Sequence, residues 1–240
     1  SSRVGKKLWS SANLGEPVKL NCYKTGKDEA QGISDIIEHN LKKKYSLNNI
    51  SILVRAIYQT REFEERFLKI GLPYRIIGGV KFYERAEIKD CIAYLRVIYQ
   101  NKDDLAFERI LNVPKRSIGD TSFKTISEYA KNNSLSLEKS SKNLINLNII
   151  KPKTKVGLLN FLNLLEKWRN DYFNKKIDHI KLLQMVLDES GYSSQLKNKK
   201  DLENENRLEN IKELLNAMKE FDNLESFLEH VALATSLDQD

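Results

Sequence analysis

The sequence predicts a mixed α/β protein dominated by helices, in which a small parallel sheet of β-α-β-α-β order precedes an all-helical region. Three observations lead to this class. The 240 residues include only four prolines and ten glycines, which is few for a protein with many tight turns. Short apolar runs alternate with amphipathic segments over residues 17–79. From about residue 84 onward, apolar side chains recur only at helical spacing.

The strands of this prediction lie in the N-terminal third. Residues 17–25 alternate between apolar and polar, residues 50–54 form a short apolar run, and residues 74–77 form a third run that ends at two glycines. Amphipathic helices are predicted between them at 28–44 and 59–70. Such alternation predicts a parallel sheet with helices on its faces. We expect this small sheet to belong to a larger one whose other strands lie outside the chain.

The helical spacing of apolar side chains predicts helices in the rest of the chain. Their predicted ranges are 86–100, 103–112, 121–132, 156–172, 177–189 and 204–234. Residues 133–155 are rich in Asn, Ser and Lys and predict a loop or a short helix. The sequence therefore divides into a partial α/β domain at 1–85 and a helical domain at 86–240.

The charge is positive overall and unevenly spread. The net charge is +7, which favours a polyanionic partner. Residues 139–181, here called the basic run, carry ten basic and three acidic side chains. Residues 201–240 carry three basic and eleven acidic side chains. The basic run predicts either a solvated face or a nonspecific, salt-dependent contact with nucleic acid.

Several classes of protein are excluded. No stretch approaches the ~20 consecutive apolar residues of a membrane-spanning helix, and the N-terminus lacks the apolar run of a signal peptide. Cys22 and Cys91 are far apart, so neither a disulfide scaffold nor a cysteine zinc site is predicted, and a reducing cytoplasm is the expected location. The three histidines form no metal-binding spacing. Because the chain starts without methionine, we expect it to be cut from a longer protein.

Nucleotide-binding motifs are missing from the sequence. The pair Gly78-Gly79 follows a predicted strand, but no G-x-x-x-x-G-K-[ST] or G-x-G-x-x-G pattern occurs anywhere. We therefore interpret the two glycines as a tight turn and assign no catalytic, cofactor-binding or metal-ligating residue.

Residues 113–122, VPKRSIGDTS, form the most informative segment. They connect two predicted helices and contain two cations and a glycine. Free amides at the start of the second helix can hold an anion, and Lys115 and Arg116 can add charged contacts to a phosphate. The segment therefore resembles a DNA-binding helix-hairpin-helix turn. The alternative is an ordinary connection between helices with Asp120 or Thr121 as N-cap.

A second candidate contact follows the strand predicted at 50–54. Arg55 stands at its end, where open α/β sheets bind ligands. Tyr58 could stack on a base and Arg61 could meet a phosphate. The alternative is a solvated start of a helix.

Eight stretches of the sequence carry a family resemblance. They are SILVRA (51–56), QTREFEE (59–65), LPYRIIGG (72–79), FYERAEIKD (82–90), AYLR (93–96), NVPKRSIG (112–119), SGY (190–192) and RLEN (207–210). Their order and density resemble the UvrD/Rep/PcrA helicases of superfamily 1. The resemblance covers nearly the whole chain and is loose over 133–181.

This resemblance implies a division of the chain. Residues 1–85 look like part of the second RecA-like domain (2A), and residues 86–240 look like its helical insertion (2B). The first RecA-like domain, with its Walker A lysine and its acidic Mg²⁺ ligands, would lie outside the chain. ATP and Mg²⁺ are thus implied for the whole protein, and the chain alone is expected to hydrolyse no ATP.

The resemblance also suggests residues that contact DNA. Arg55 matches a position along the single strand, and Lys89 and Ser122 match positions that touch the duplex. The Gly-Ile-Gly turn of the family reads Ser117-Ile118-Gly119 here, so that only Gly119 is retained. The predicted DNA-binding residues are Arg55, Lys89, Lys115, Arg116, Gly119 and Ser122.

The function implied is that of a piece of an ATP-dependent 3′-5′ DNA helicase of the repair or replication type. Its partners would be single-stranded and duplex DNA, with repair proteins as further candidates and no membrane. Two alternatives stay open. One is a non-catalytic DNA-binding module, and the other is a protein-interaction module that uses the acidic end.

Overall fold

The computed structural model describes residues 15–198 and 201–236, which form eleven α-helices. The helices are α1 (Gly26–Lys42), α2 (Thr60–Ile70), α3 (Ala86–Tyr99), α4 (Asp104–Leu111), α5 (Asp120–Asn133), α6 (Leu137–Asn146), α7 (Pro152–Phe173), α8 (His179–Glu189), α9 (Tyr192–Asn198), α10 (Leu202–Met218) and α11 (Leu224–Ser236). Single 3-10 turns lie at Leu47–Asn49, Ile57–Gln59 and Phe82–Glu84.

No strand or sheet forms among the described residues, so the prediction of a partial parallel sheet is wrong for this part of the chain. The segments 17–25, 50–54 and 74–77 have no neighbouring strand. Some of their apolar side chains lie in solvent, with Leu53 95% and Ile77 84% exposed, whereas Ile50 and Tyr74 pack against the smaller core between α1 and α2. Alternation and β-branching favour extended backbone, but a strand also needs a hydrogen-bonding partner, and no described segment provides one.

The prediction of a helix-dominated chain is confirmed, with differences in detail. The helix predicted over 204–234 is divided into α10 and α11 by a turn at residues 219–223. Helix α7 begins at Pro152, earlier than predicted, because proline suits the first helical position. Within the described ranges, no helix has both the length and the apolar composition that a membrane crossing requires.

Aspartates set the starts of three helices. The side chain of Asp103 accepts a hydrogen bond from the amide of Ala106 at the start of α4. Asp178 and Asp201 cap α8 and α10 in the same way. Each side chain satisfies one of the amides that a helix start leaves without a partner.

One large apolar core extends across α3 to α11, and its centre is aromatic. The fully buried ring of Tyr94 lies edge-on to Phe161 and to Trp168, at centroid distances of 6.4 and 6.1 Å. A smaller core between α1 and α2 contains Ala30, Ile37, Phe63 and Phe67. The large core therefore holds α7 against α3 through aromatic packing.

Arg169 of α7 adds a polar clamp to this core. Its guanidinium donates two hydrogen bonds to the Glu138 carboxylate, of 2.7 and 2.6 Å, and one of 2.7 Å to the carbonyl of Val97. Burial works to raise the pKa of Glu138, but the bonds and charge of Arg169 lower it overall. The clamp joins α3, α6 and α7.

The last two helices pack against the N-terminal part of the chain. Arg61 of α2 is buried and donates a 2.6 Å hydrogen bond to Glu213 of α10. Lys27 of α1 pairs with Glu220 at 2.6 Å. Phe82 lies in the same core as Phe227 of α11. Contacts thus cross the boundary that the sequence places at residue 85, and that division stays a prediction.

A histidine–carboxylate pair joins α2 to α11. His230 Nε2 lies 2.9 Å from one oxygen of Glu65, and the Tyr83 hydroxyl donates a 2.7 Å bond to the other. The hydrogen bond with Glu65 raises the pKa of His230, against the opposing effects of burial and of Arg61. Burial works to raise the pKa of Glu65, but the bonds from His230 and Tyr83 lower it overall.

This pair predicts that stability depends on pH. A histidine stabilises the fold when folding raises its pKa. This stabilisation is complete below the ordinary histidine pKa of about 6.5, and it is lost as the pH rises through the raised pKa. Glu65 stays ionised over this range because its pKa is lowered. We expect the free energy of unfolding, measured with urea, to fall by up to about 1 kcal/mol between about pH 6 and pH 9.

The variant His230→Gln should lose this dependence, whereas His39→Gln, which changes an exposed histidine, should keep it. An unchanged pH profile in His230→Gln would contradict the assignment to this pair.

Candidate nucleic-acid interface

The connection between α4 and α5 is a compact turn held by its own polar groups. The Asn112 side-chain oxygen accepts hydrogen bonds from the amides of Arg116, at 2.7 Å, and Ile118, at 3.3 Å. The Val113-Pro114 peptide bond is cis. Ser117 has a φ of +61°, in the left-handed region that favours glycine. A serine therefore takes up the left-handed conformation at the position where the family resemblance places the first glycine of Gly-Ile-Gly.

The guanidinium of Arg116 faces the protein interior. It donates hydrogen bonds to the carbonyls of Ile110, at 2.7 Å, and Leu111, at 3.1 Å, and to the hydroxyl of Tyr94. It also lies 4.3 Å from the ring centroid of Phe161, a cation–π distance. Both terminal nitrogens are thus engaged within the chain. Arg116 positions the turn, and its predicted phosphate contact stays a prediction.

Helix α5 begins without a side-chain cap. Gly119 is the N-cap residue, and no side chain accepts from the first amides of the helix. The alternative N-caps, Asp120 and Thr121, lie inside the helix. A Cβ atom added at Gly119 would meet nothing within 4 Å, and its φ is −91°. Neither packing nor backbone conformation therefore requires glycine here, and the amides of this helix start are open to an acceptor from outside.

Two of the predicted site residues flank this helix start. Lys115 is exposed, and no hydrogen bond or ion pair to its side chain is formed within the described part of the chain. Ser122 is half-buried, and its Oγ lies 3.4 Å from Thr154 Oγ1. The structure therefore brings Lys115, Gly119 and Ser122 to one surface and places Arg116 beneath it.

The first turns of α7 pack directly against this turn. The Thr154 hydroxyl donates a 3.0 Å hydrogen bond to the carbonyl of Ser117. A Cβ atom at Gly157 would lie 2.2 Å from the carbonyl oxygen of Arg116, so this close approach requires glycine. The sequence pattern assigned neither residue to the site, because it predicted a helix start only at 156. Pro152, typical of a first helical position, is the signal that could have located them.

The other predicted residues lie elsewhere. Arg55 is exposed and precedes the 3-10 turn Ile57–Gln59, and Lys89 is exposed on α3. Among the described residues, no hydrogen bond or ion pair joins either side chain to the α4–α5 turn. Arg61 is buried and bonded to Glu213, as described above.

Neither a nucleotide-binding motif nor a cluster of metal-binding side chains is found in the described part of the chain. Residues 15–198 and 201–236 place no group of three or more His, Cys, Asp or Glu side chains where they could hold a metal ion. The sequence has no phosphate-binding glycine loop. No nucleotide chemistry is therefore assigned to these residues.

Replacing Gly157 or Gly119 by serine should change the free energy of unfolding by different amounts. Gly157→Ser should lower the free energy of unfolding by about 1–3 kcal/mol, because its Cβ collides with the backbone of Arg116. Gly119→Ser should change it by less than about 0.5 kcal/mol, because serine is also a good N-cap and the space is open. Urea denaturation of both variants tests this, and equal losses would contradict the close approach of α7.

Arg116 and Lys115 are neighbours in the sequence, but their substitution should change the free energy of unfolding by different amounts. Arg116→Met should cost about 2–3 kcal/mol of unfolding free energy, because the carbonyls of Ile110 and Leu111 are left without their charged donor. Lys115→Met removes the same charge from an exposed side chain and should cost less than about 0.5 kcal/mol. Denaturation midpoints that shift together would contradict the internal role of Arg116.

Comparisons with known proteins identify the family of this chain. The model of the UvrD-like helicase C-terminal domain matches residues 1–240. The chain is 39% identical over 233 residues to a DNA helicase II of Rickettsia typhi, covering 97% of the chain and 35% of that protein. It is 36% identical over 250 residues to the ATP-dependent DNA helicase PcrA of Bacillus subtilis, covering 100% of the chain and 33% of that protein.

A third relative comes from another bacterium. The DNA helicase II of Escherichia coli is 32% identical over 242 residues, covering 97% of the chain and 33% of that protein. The chain thus spans about a third of the length of the curated relatives that it matches. With a family model matched along its full length, this chain belongs to the UvrD-like helicase C-terminal domain family.

Proposed function

We propose that this chain is part of an ATP-dependent 3′-5′ DNA helicase and that it supplies DNA contacts to that enzyme. Family membership supports the proposal, together with relatives that carry the names DNA helicase II and ATP-dependent DNA helicase PcrA. The observation that carries it furthest is the uncapped start of α5 at Gly119, beside the exposed Lys115.

The chemistry of this surface suits a duplex backbone. Open amides at a helix start bind phosphate oxygens, and an exposed lysine adds a charge without reading the base sequence. Gly119 lets a phosphate approach the backbone closely because no side chain covers it. Ser122, in the first turn of α5, adds a hydroxyl at the same surface. Contacts of this kind position a duplex and leave its sequence unread.

The remaining predicted residues belong to the same proposal. Arg55 is exposed and has no bonded partner within the described ranges, so its guanidinium is available to a single strand. Lys89 is exposed on α3 and is available to the duplex. ATP and Mg²⁺ would act elsewhere in the whole protein, in the cytoplasm, with repair proteins as further partners. The division at residue 85 into 2A and 2B parts is included in this proposal.

The duplex contact predicts a defined decrease in affinity. Lys115→Glu should weaken binding of a short DNA duplex by about tenfold at low salt and reduce the slope of log affinity against log salt by about 0.9 for each phosphate that is no longer neutralised. Gly119→Ser should weaken binding too, because the serine hydroxyl occupies the amides that a phosphate would use. Fluorescence anisotropy between about 50 and 200 mM salt measures both effects.

The matched control is Lys131→Glu, which changes an exposed lysine at the far end of α5. Its affinity should stay close to that of the unmodified chain. If Lys115→Glu and Gly119→Ser both bind duplex as the unmodified chain does, the α4–α5 turn does not contact DNA and this part of the proposal fails.

A further inference from the structure

The connection between α6 and α7 exposes an apolar surface. Leu147 is 57%, Ile149 56% and Val156 60% exposed. The ammonium of Lys155 donates a 2.5 Å hydrogen bond to the side-chain oxygen of Asn148, so the first turn of α7 lies beside the turn that ends α6. Leu147 and Ile149 flank Asn148, and Val156 follows Lys155. The three exposed apolar side chains therefore lie around one contact, and we call them the α6–α7 patch.

An ordered helix end holds this patch outward. The amides of Asn148 and Ile149 donate hydrogen bonds back to carbonyls of α6, and Asn148 has a left-handed φ of +56°. These are the features of a Schellman ending, in which an apolar residue beyond the turn commonly packs inward. Ile150, the next residue, is buried in the large core. The exposure of Leu147 and Ile149 is therefore a consequence of how the helix ends.

The charge around the patch has one sign. Residues 139–165 include five lysines and no acidic residue. Two of these lysines, Lys142 and Lys155, are bonded to other side chains of the chain. Lys151 and Lys153 are exposed, and within the described residues their side chains form no ion pair or hydrogen bond. The patch is thus bordered by positive charge that the fold does not use.

This combination selects the chemistry of a ligand. On α7, Lys153 precedes Val156 by three residues, which makes them neighbours on the helix surface. A ligand that covers both must offer apolar groups and negative charge together. Phosphates supply the charge but no apolar surface that would shield aliphatic side chains from water. Exposed apolar patches with a polar rim are typical of protein-docking sites, and complementary charge selects the partner.

We propose that the α6–α7 patch is a docking surface for an acidic, amphipathic segment of a partner protein. The apolar side chains of that segment cover Leu147, Ile149 and Val156, and its carboxylates lie against Lys151 and Lys153. Such docking is a function beyond the DNA contacts proposed above and does not depend on them. Salt screens the charged part of the contact, whereas the apolar part is retained.

The test measures binding of two synthetic peptides to the 240-residue chain by fluorescence anisotropy. The first peptide has leucines at helical spacing and Asp or Glu at its other positions. The second has serine in place of each leucine. The first should bind, and the second should bind at least about tenfold more weakly because it buries no large apolar side chain. Leu147→Ser/Ile149→Ser should weaken binding of the first peptide by about tenfold for the same reason.

The matched control is Leu202→Ser/Leu233→Ser, which removes two exposed leucines from α10 and α11. It should bind the first peptide as the unmodified chain does. Lys151→Glu/Lys153→Glu should weaken that binding and reduce its salt dependence. Urea midpoints check that every variant folds, which is expected because the substituted side chains are exposed.

The other outcomes would overturn the proposal. Failure of the first peptide to bind, or equal affinity for the two peptides, would show that no apolar docking occurs. If Leu147→Ser/Ile149→Ser prevents binding to vesicles of phosphatidylserine and phosphatidylcholine but not to the peptide, the patch contacts anionic lipid. If the same variant only converts a dimer of the chain to a monomer in sedimentation, the patch joins two copies. Peptide binding needs no DNA, so this proposal and the proposed function fail separately.

Discussion

The internal anchoring of Arg116 is the constraint on which the candidate interface depends. A charged group that is largely removed from water must find charged or polar partners, and this guanidinium finds the carbonyls that end α4, the hydroxyl of Tyr94 and the face of Phe161. These partners belong to α3, α4 and α7. One side chain therefore fixes the turn against three helices, and the open start of α5 follows from where that turn ends.

The close approach of α7 completes this arrangement. Gly157 lets the helix axis come near the carbonyl of Arg116, and Thr154 bonds to the next carbonyl along the turn. A side chain at 157 would push the helix away and separate its first turn from the α4–α5 turn. The same contact therefore packs the core and places the start of α7 beside the α4–α5 turn.

The acidic end has a structural use that its composition did not predict. Glu213 and Glu220 pair with Arg61 and Lys27, and His230 pairs with Glu65, so α10 and α11 are fastened to α1 and α2 by polar contacts. These pairs lie on the N-terminal side of the molecule, apart from the bonds that build the α4–α5 turn. They use part of the negative charge internally, while the exposed lysines keep their charge for solvent or a ligand.

The sequence by itself determined the family, the helix-dominated class, most helix positions and the turn at 113–122, because helical periodicity and turn chemistry are local properties. It wrongly predicted a sheet from 17–25, 50–54 and 74–77, because apolar alternation shows a preference for extended backbone but not whether a partner strand is present. Only the tertiary structure showed that two adjacent cations have different roles. Arg116 donates hydrogen bonds to backbone carbonyls of the chain, whereas the side chain of Lys115 is exposed. Burial and partners depend on residues distant in sequence, such as Tyr94 and Phe161, and local pattern carries no information about them.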